Sequence, residues 1–206
     1  MIFAPDDPGP IAADEALDVR VLKVFDGDGF LANVWHPLRE AWVERIPFRF
    51  AFIDAPEMEQ PFGPEARDFL LGLVGGKKLR LLPIGKESTG GVPIDPYKRL
   101  LCMAYLTEQM DPGRVEYYHE GKRGSCLVTR PRSVTRNIEL EMIVNGWAWV
   151  TEQYAFDREA EYFNAQDDAR RNRRGLWVSN NPDPPWNFKR RQKHRMRQAE
   201  GQGRLI

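Results

Sequence analysis

The stretch IPFRFAFIDAPE, residues 46–57, decides how this chain folds. Ile46, Phe48, Phe50 and Phe52 fall on one face, and Arg49 and Ala51 on the other. A period of two, rich in Phe and Ile, is the pattern of a half-buried strand. Pro56 cannot donate to a ladder, so the strand ends before it. The segment therefore reads as a strand over 46–53 that delivers Asp54 to the rim of a core. Glu57, three residues on, can point back to the same pocket.

The pattern extends in both directions. Val19–Phe25 and Phe30–Trp35 read as strands joined by FDGDGF, residues 25–30. One Asp-Gly pair is enough for a tight hairpin, and here there are two. Asp26 and Gly27 suffice for the turn, which leaves Asp28 at the start of the second strand. Downstream, Pro61-Phe62-Gly63-Pro64-Glu65 is a helix start, and Ala66, Phe69, Leu70, Leu73 and Val74 form a helical stripe stopped by Gly75-Gly76. Lys78–Pro83 and Leu100–Leu106 are two more strands, separated by a Gly- and Pro-containing loop over 85–96. Asn137 is placed to cap a second helix running to Asn145, and Asp157 a third running to about Arg174. Five short antiparallel strands with helices inserted and appended make an α+β chain, a five-stranded OB-fold β-barrel with three helices.

The domain reading follows. Residues 1–17 are a loose lead-in, 18–180 the barrel domain and 181–206 a Pro-Trp segment with a basic tail. Residues 107–136 have little periodicity and read as an insertion, with a short hairpin around Tyr117–Val128. Their basic residues Lys122, Arg123, Arg130, Arg132 and Arg136 could grip a nucleic-acid backbone or could simply be solvated.

The net charge is zero, yet residues 170–206 hold eleven Lys/Arg against two acids. A disordered basic tail contacting a polyanion is the expectation, with a solvated helix end as the alternative. Cys102 and Cys126 suit a reduced compartment, and without a C-x-x-C pair a thiolate metal site is not expected. No signal-peptide pattern is visible, so a cytoplasmic location is expected, or secretion if a leader has been trimmed.

Asp28, Asp54 and Glu57 are acids at strand ends, and Arg49 and Arg99 can reach the same rim in a closed barrel. Carboxylates suit a hard cation, which polarises a phosphoryl oxygen while a carboxylate activates water and guanidiniums offset the developing charge. Singly, each residue has an ordinary explanation as a turn acid, a loop cap or an exposed strand arginine. Their order and spacing point to phosphodiester chemistry.

The blocks DGDG, RFAFIDAPE, PFGPEA and DPYKRLL, then GWAWV and ARRNRRGLW, resemble the staphylococcal nuclease (thermonuclease) family over roughly residues 19–178. The resemblance implies an OB barrel with three helices that cleaves DNA and RNA at the 5′ P–O bond, leaving 3′-phosphates. It assigns Ca²⁺ (with Mg²⁺ or Mn²⁺ as other oxygen-seeking ions) to Asp28, Asp54 and the Ala55 carbonyl. It makes Glu57 the general base and Arg49 and Arg99 the phosphate-binding arginines. Tyr97, Lys98 and Tyr154 are then candidates for substrate contact. The chain departs from the family at Gly29, where a Thr is usual, and at Lys98, where Gly is usual. It also carries Glu152 where a stacking Tyr is expected. The implied partners are DNA or RNA, with no membrane and a monomeric state. A non-catalytic nucleic-acid or protein-binding module is the second reading, because some relatives of this barrel have lost their acids.

Overall fold

The structure, a computed structural model, describes residues 16–85, 93–119, 122–151 and 156–202. Its strands are β1 (Leu17–Val24), β2 (Gly29–His36), β3 (Ala41–Phe50), β4 (Ile53–Asp54), β5 (Lys78–Pro83), β6 (Leu100–Met110), β7 (Gly113–His119), β8 (Lys122–Val128), β9 (Arg132–Asn137) and β10 (Trp149–Val150). Its α-helices are α1 (Gly63–Val74), α2 (Ile138–Val144), α3 (Glu159–Arg171) and α4 (Pro185–Gln202).

β1 pairs with β2 and β5, β2 with β3, and β5 with β6, all antiparallel. A parallel pairing of β3 with β6 closes these five strands into a barrel. The expectation of antiparallel pairing throughout fails at this seam. The chain between β3 and β6 contains α1 and β5, a crossover long enough to return β6 in the same sense as β3. Phe48 and Phe50 point inward as their alternation predicts. Phe30 stacks on Phe48 at 5.5 Å and meets Phe50 at 5.6 Å. Each such fully buried ring contributes roughly 1.5–3 kcal/mol. β3 ends at Phe50, so the strand expected through Ile53 breaks, and β4 resumes it as a separate ladder with β10.

Asn137 caps α2 as expected, its side chain accepting from the Leu140 N–H at 3.1 Å, a contact worth about 1 kcal/mol. Two glycines then fix how the chain leaves α2. Gly146 (φ +78) and Gly175 (φ +53) lie so close that a Cβ on either would come within 2.2 Å of a backbone oxygen near the other. Leu176 N–H donates to Gly146 O at 2.8 Å, which brings Trp177 edge-on to Trp149 at 5.6 Å. The third helix starts after Arg158 rather than at Asp157 and stops at Arg171 rather than near Arg174, where Arg173 has turned to φ +51.

Two larger expectations are corrected. Residues 107–136 are mostly strand. β6 runs on to Met110, β9 pairs with that extension, and β7 with β8 forms a hairpin longer than expected. Alternation there is masked by charged residues that pair across the strands, such as Arg123 with Glu116 at 3.1 Å. Arg136 is only 4% exposed and bonds Glu141 and Glu108, so it is not available to a phosphate. The basic tail is not irregular chain: it forms α4, a fourth helix beyond the expected three. Among the described residues, no helix is long and apolar enough to cross a membrane.

Candidate active site

The β1–β2 turn begins the site. Phe25 N–H donates to Gly29 O at 2.9 Å, and Asp28 N–H donates to Asp26 Oδ1 at 3.2 Å. Asp26 thus shapes the turn as expected. Gly27 has a different reason: a Cβ there would stand 2.5 Å from Ala55 Cβ and 3.0 Å from Ala66 Cβ. Its small size lets the turn press against α1 and against the chain just after Asp54. Asp28 is consequently buried beside Ala55, whose N–H donates to Asp28 Oδ2 at 3.2 Å.

Strand register supplies the next group. Gly29 stands opposite Arg49 across β2 and β3. The Arg49 guanidinium bonds Asp28 Oδ2 at 3.2 Å and Asp54 Oδ1 at 2.7 Å. Asp54 is held opposite Trp149 in the β4–β10 ladder. Glu57 is placed by the turn that follows: its N–H donates to Gln60 Oε1 at 2.9 Å, and Gln60 N–H returns to Glu57 O at 2.9 Å. Gly63 is required there, since a Cβ would lie 2.0 Å from Glu57 O.

The parallel seam brings in the last arginine. Arg49 aligns with Leu101, so Arg99 enters the rim next to it. Its Nη1 lies 3.7 Å from where a Gly29 Cβ would be. Asp95 holds it through Nε at 2.8 Å and through its backbone N–H at 2.9 Å. Lys98 takes the left-handed φ of +62 that a glycine would adopt without cost. Tyr97 is 79% exposed, with the Arg99 guanidinium 5.5 Å from its ring centroid. Tyr154 lies outside the described residues.

The electrostatics are unbalanced toward negative charge. Burial, and then the Asp28 carboxylate, push Asp26 up to about 7 and Asp54 up to about 7. Burial works against Asp28 as well, but Arg49, a hydrogen bond with Asp54 and the Ala55 N–H hold it below the usual carboxylate range. Arg49 is raised, chiefly by Asp28. Crowded, partly desolvated carboxyl oxygens are what a hard divalent cation relieves. Among the described residues no three His, Cys, Asp or Glu side chains converge on a metal position. Asp28 and Asp54 are the two carboxylates here that could hold such an ion, with a backbone carbonyl and water completing its shell.

A family model described as staphylococcal nuclease homologue matches residues 47–179, which include Arg49, Asp54, Glu57 and Arg99. The chain belongs to this family. An "Uncharacterized endonuclease" of Haemophilus influenzae is 32% identical over 177 residues, 86% of this chain and 75% of the relative. "Micrococcal nuclease" of Shigella flexneri is 28% identical, covering 85% of this chain and 82% of its own length. "Probable staphylococcal-like nuclease CAN2" of Oryza sativa subsp. japonica is 28% identical over 78% of this chain, which spans 33% of that longer protein.

Two of the three departures have a structural account, and Glu152 lies outside the described residues. A side chain on Gly29 would place its Cβ 2.9 Å from Asp26 Oδ1, so in this member Asp26 occupies the room of the usual Thr. Lys98 keeps the turn that Gly usually makes and accepts the left-handed strain. Sequence reasoning missed Lys189, which lies in the segment read as a basic tail and belongs to α4. Its Nζ bonds Glu57 Oε1 at 2.7 Å and Asp54 Oδ1 at 3.2 Å. The available signal was Pro184-Pro185 ahead of a run of helix formers, which is a helix start. Gln60 was also missed, and its Nε2 donates to Asp183 O at 2.9 Å, tying the Glu57 turn to the start of α4.

Proposed function

We propose that the chain is a metal-dependent endonuclease that hydrolyses DNA, and RNA, at the 5′ P–O bond to leave 3′-phosphates. The observation that carries this reading is the meeting of Asp28, Asp54, Glu57, Arg49 and Arg99 at one barrel rim. Membership in a nuclease family supports it.

Asp28 and Asp54, with the Ala55 carbonyl, would hold the cation, Ca²⁺ first and Mg²⁺ or Mn²⁺ as alternatives. A divalent cation bound there supplies Lewis acidity at a phosphoryl oxygen. Glu57, at 30% side-chain exposure, is open enough to meet water and takes the proton of the attacking molecule. Water adds to phosphorus as the bond to the 5′ oxygen opposite it breaks, and that oxygen takes a proton from solvent water to leave as the 5′-hydroxyl. Arg49 is fixed by its two carboxylate partners, and Arg99 by Asp95. Both can offset charge on the phosphoryl oxygens without reorganising during the reaction. Tyr97 and Lys98, on the exposed loop beside Arg99, are in place to contact the neighbouring nucleotide.

The test is cleavage of plasmid, single-stranded DNA and RNA in Ca²⁺, Mg²⁺ or EGTA, with end-group analysis. Cleavage that needs a divalent ion, leaves 3′-phosphates and is lost in Glu57→Gln is expected. Intact substrates under every ion would favour the binding-module reading, for which the ion pair on Glu57 is the one structural argument. Cutting of equal rate in EGTA would remove the cation from the scheme.

A further inference from the structure

Lys189 stands in an unusual place for a residue of a basic surface helix. Its ammonium reaches Asp54 and Glu57, one a cation-holding carboxylate and the other the base in the reading above. The helix that carries it is built to aim there. Pro185, at the start of α4, is buried, and the Asp183 carbonyl just before it accepts from Gln60. Arg191 bonds back to Asp183 across the first turns. Trp186 meets Trp149 edge-on at 6.3 Å, and Trp149 is the residue paired with Asp54 in the β4–β10 ladder. The docking surface of α4 and the strand that positions Asp54 are therefore one unit. Lys189 lies four residues, about one turn, beyond Pro185, close to that anchor, and beyond residues 47–179 matched by the family model.

The contact has a chemical consequence. Asp54 Oδ1 already accepts from Arg49 at 2.7 Å and from Lys189 at 3.2 Å. Two N–H donors fill the in-plane lone pairs of Oδ1, so a dication that takes this oxygen must remove one of them. Arg49 is locked by Asp28 as well, whereas Lys189 is a flexible stem with 42% of its side chain exposed. Of the two cationic partners, Lys189 is the one free to move. A dication and an ammonium a few ångströms apart would also repel each other.

We infer that Lys189 is a resident competitor for the cation: its ammonium neutralises Asp54 and Glu57, and a divalent ion binds only by displacing it. α4 thereby sets the cation concentration at which the site becomes occupied, and it frees Glu57 as a base in the same event. The inference rests on the metal-dependent reading of the site.

The test is calorimetric titration of CaCl₂ into the cation-stripped full chain, at about 0.15 M salt so that distant charges are screened. Lys189→Met keeps the stem and removes the charge. Its Kd for Ca²⁺ is expected to be tighter than wild type by on the order of tenfold. Arg195→Ala, an exposed change farther along the same helix, should alter Kd by less than about twofold. An unchanged or weaker Kd in Lys189→Met overturns the competition while leaving the metal-dependent reading intact. So does an equal tightening by Arg195→Ala, which would show a general charge effect. Absence of binding heat in wild type and variant alike overturns both readings.

Discussion

Two groups of buried acids in this molecule behave in opposite ways. In the interior, Glu139 accepts from the Phe52 N–H at 3.1 Å through one oxygen and from the Tyr162 hydroxyl at 3.1 Å through the other. Glu141 accepts from Arg136 at 3.1 Å. At the rim, Asp26, Asp28 and Asp54 crowd one another, and two of the three are pushed up to about 7. The interior acids tie α2 to the strand ends and to α3. The rim acids are held together by the fold although their charges oppose it. The interior acids face N–H and O–H donors, which stabilises the fold, whereas Asp28 and Asp54 share one guanidinium between two crowded carboxylates, an arrangement that shifts pKa values in the way working sites do.

The sharpest way to break this contrast is to change the acid that stands beside the rim group, Glu57, and one acid of the interior group. Glu57→Gln should lower cleavage by roughly 10²–10⁴-fold with little change in melting temperature, as expected for loss of a general base. A variant that still cuts at the wild-type rate would end the base assignment. Glu139→Ala should cost about 3 kcal/mol in denaturant unfolding, because it strands the buried Phe52 N–H, opens a cavity and leaves the Tyr162 hydroxyl with Asn137 alone. A loss below about 1 kcal/mol would show that the interior group is dispensable.

Smaller effects sharpen the same point. Burial and the neighbouring Asp28 raise Asp26 and Asp54 to about 7, from 3.8 for a free carboxyl group. Between about pH 4 and 7 the unfolded chain has released these protons while the folded chain keeps them. Their contribution to stability therefore declines as pH rises through that window. Asp28 and Asp95, both lowered, act oppositely and lose their contribution as pH falls below the usual carboxylate range. In EGTA, unfolding free energy should fall by roughly 3–5 kcal/mol from pH 5 to pH 8, and Asp26→Asn should remove about half of that slope. A wild-type profile flat across pH 5–8 would contradict the crowding. Lys98→Gly, which relieves a left-handed φ of +62, should be neutral to stabilising by about 1 kcal/mol in the same measurement. Clear destabilisation would mean that the Lys98 side chain holds the loop.

Much of the site was legible because its residues sit at strand ends whose patterns are strong. Asp28 after a two-residue turn, Arg49 within an apolar alternation and Asp54 before Ala-Pro are each placed by local rules. Their contacts are not local. Arg49 meets Asp28 through the β2–β3 register, and Arg99 joins them through the parallel seam. The 107–136 strands were hidden because their charged residues pair across the hairpin and so break the alternation. Lys189 was hidden for a plainer reason. A run of lysines and arginines looks solvated unless something shows where its first turn is anchored, and that anchor, Trp186 against Trp149, joins distant parts of the chain.

By itself the sequence determined the barrel strands and the first three helices, the α+β class and the five charged candidates for the rim, because hydrophobic period and turn chemistry are local properties. Only the tertiary structure decided which oxygen faces which cation. It showed Gly27 yielding its volume to Ala55 and Ala66, Asp26 filling the space beside Gly29, and α4 setting Lys189 on Asp54 and Glu57. Those outcomes depend on packing between segments far apart in the chain, where distances of a few ångströms separate a structural acid from a working one.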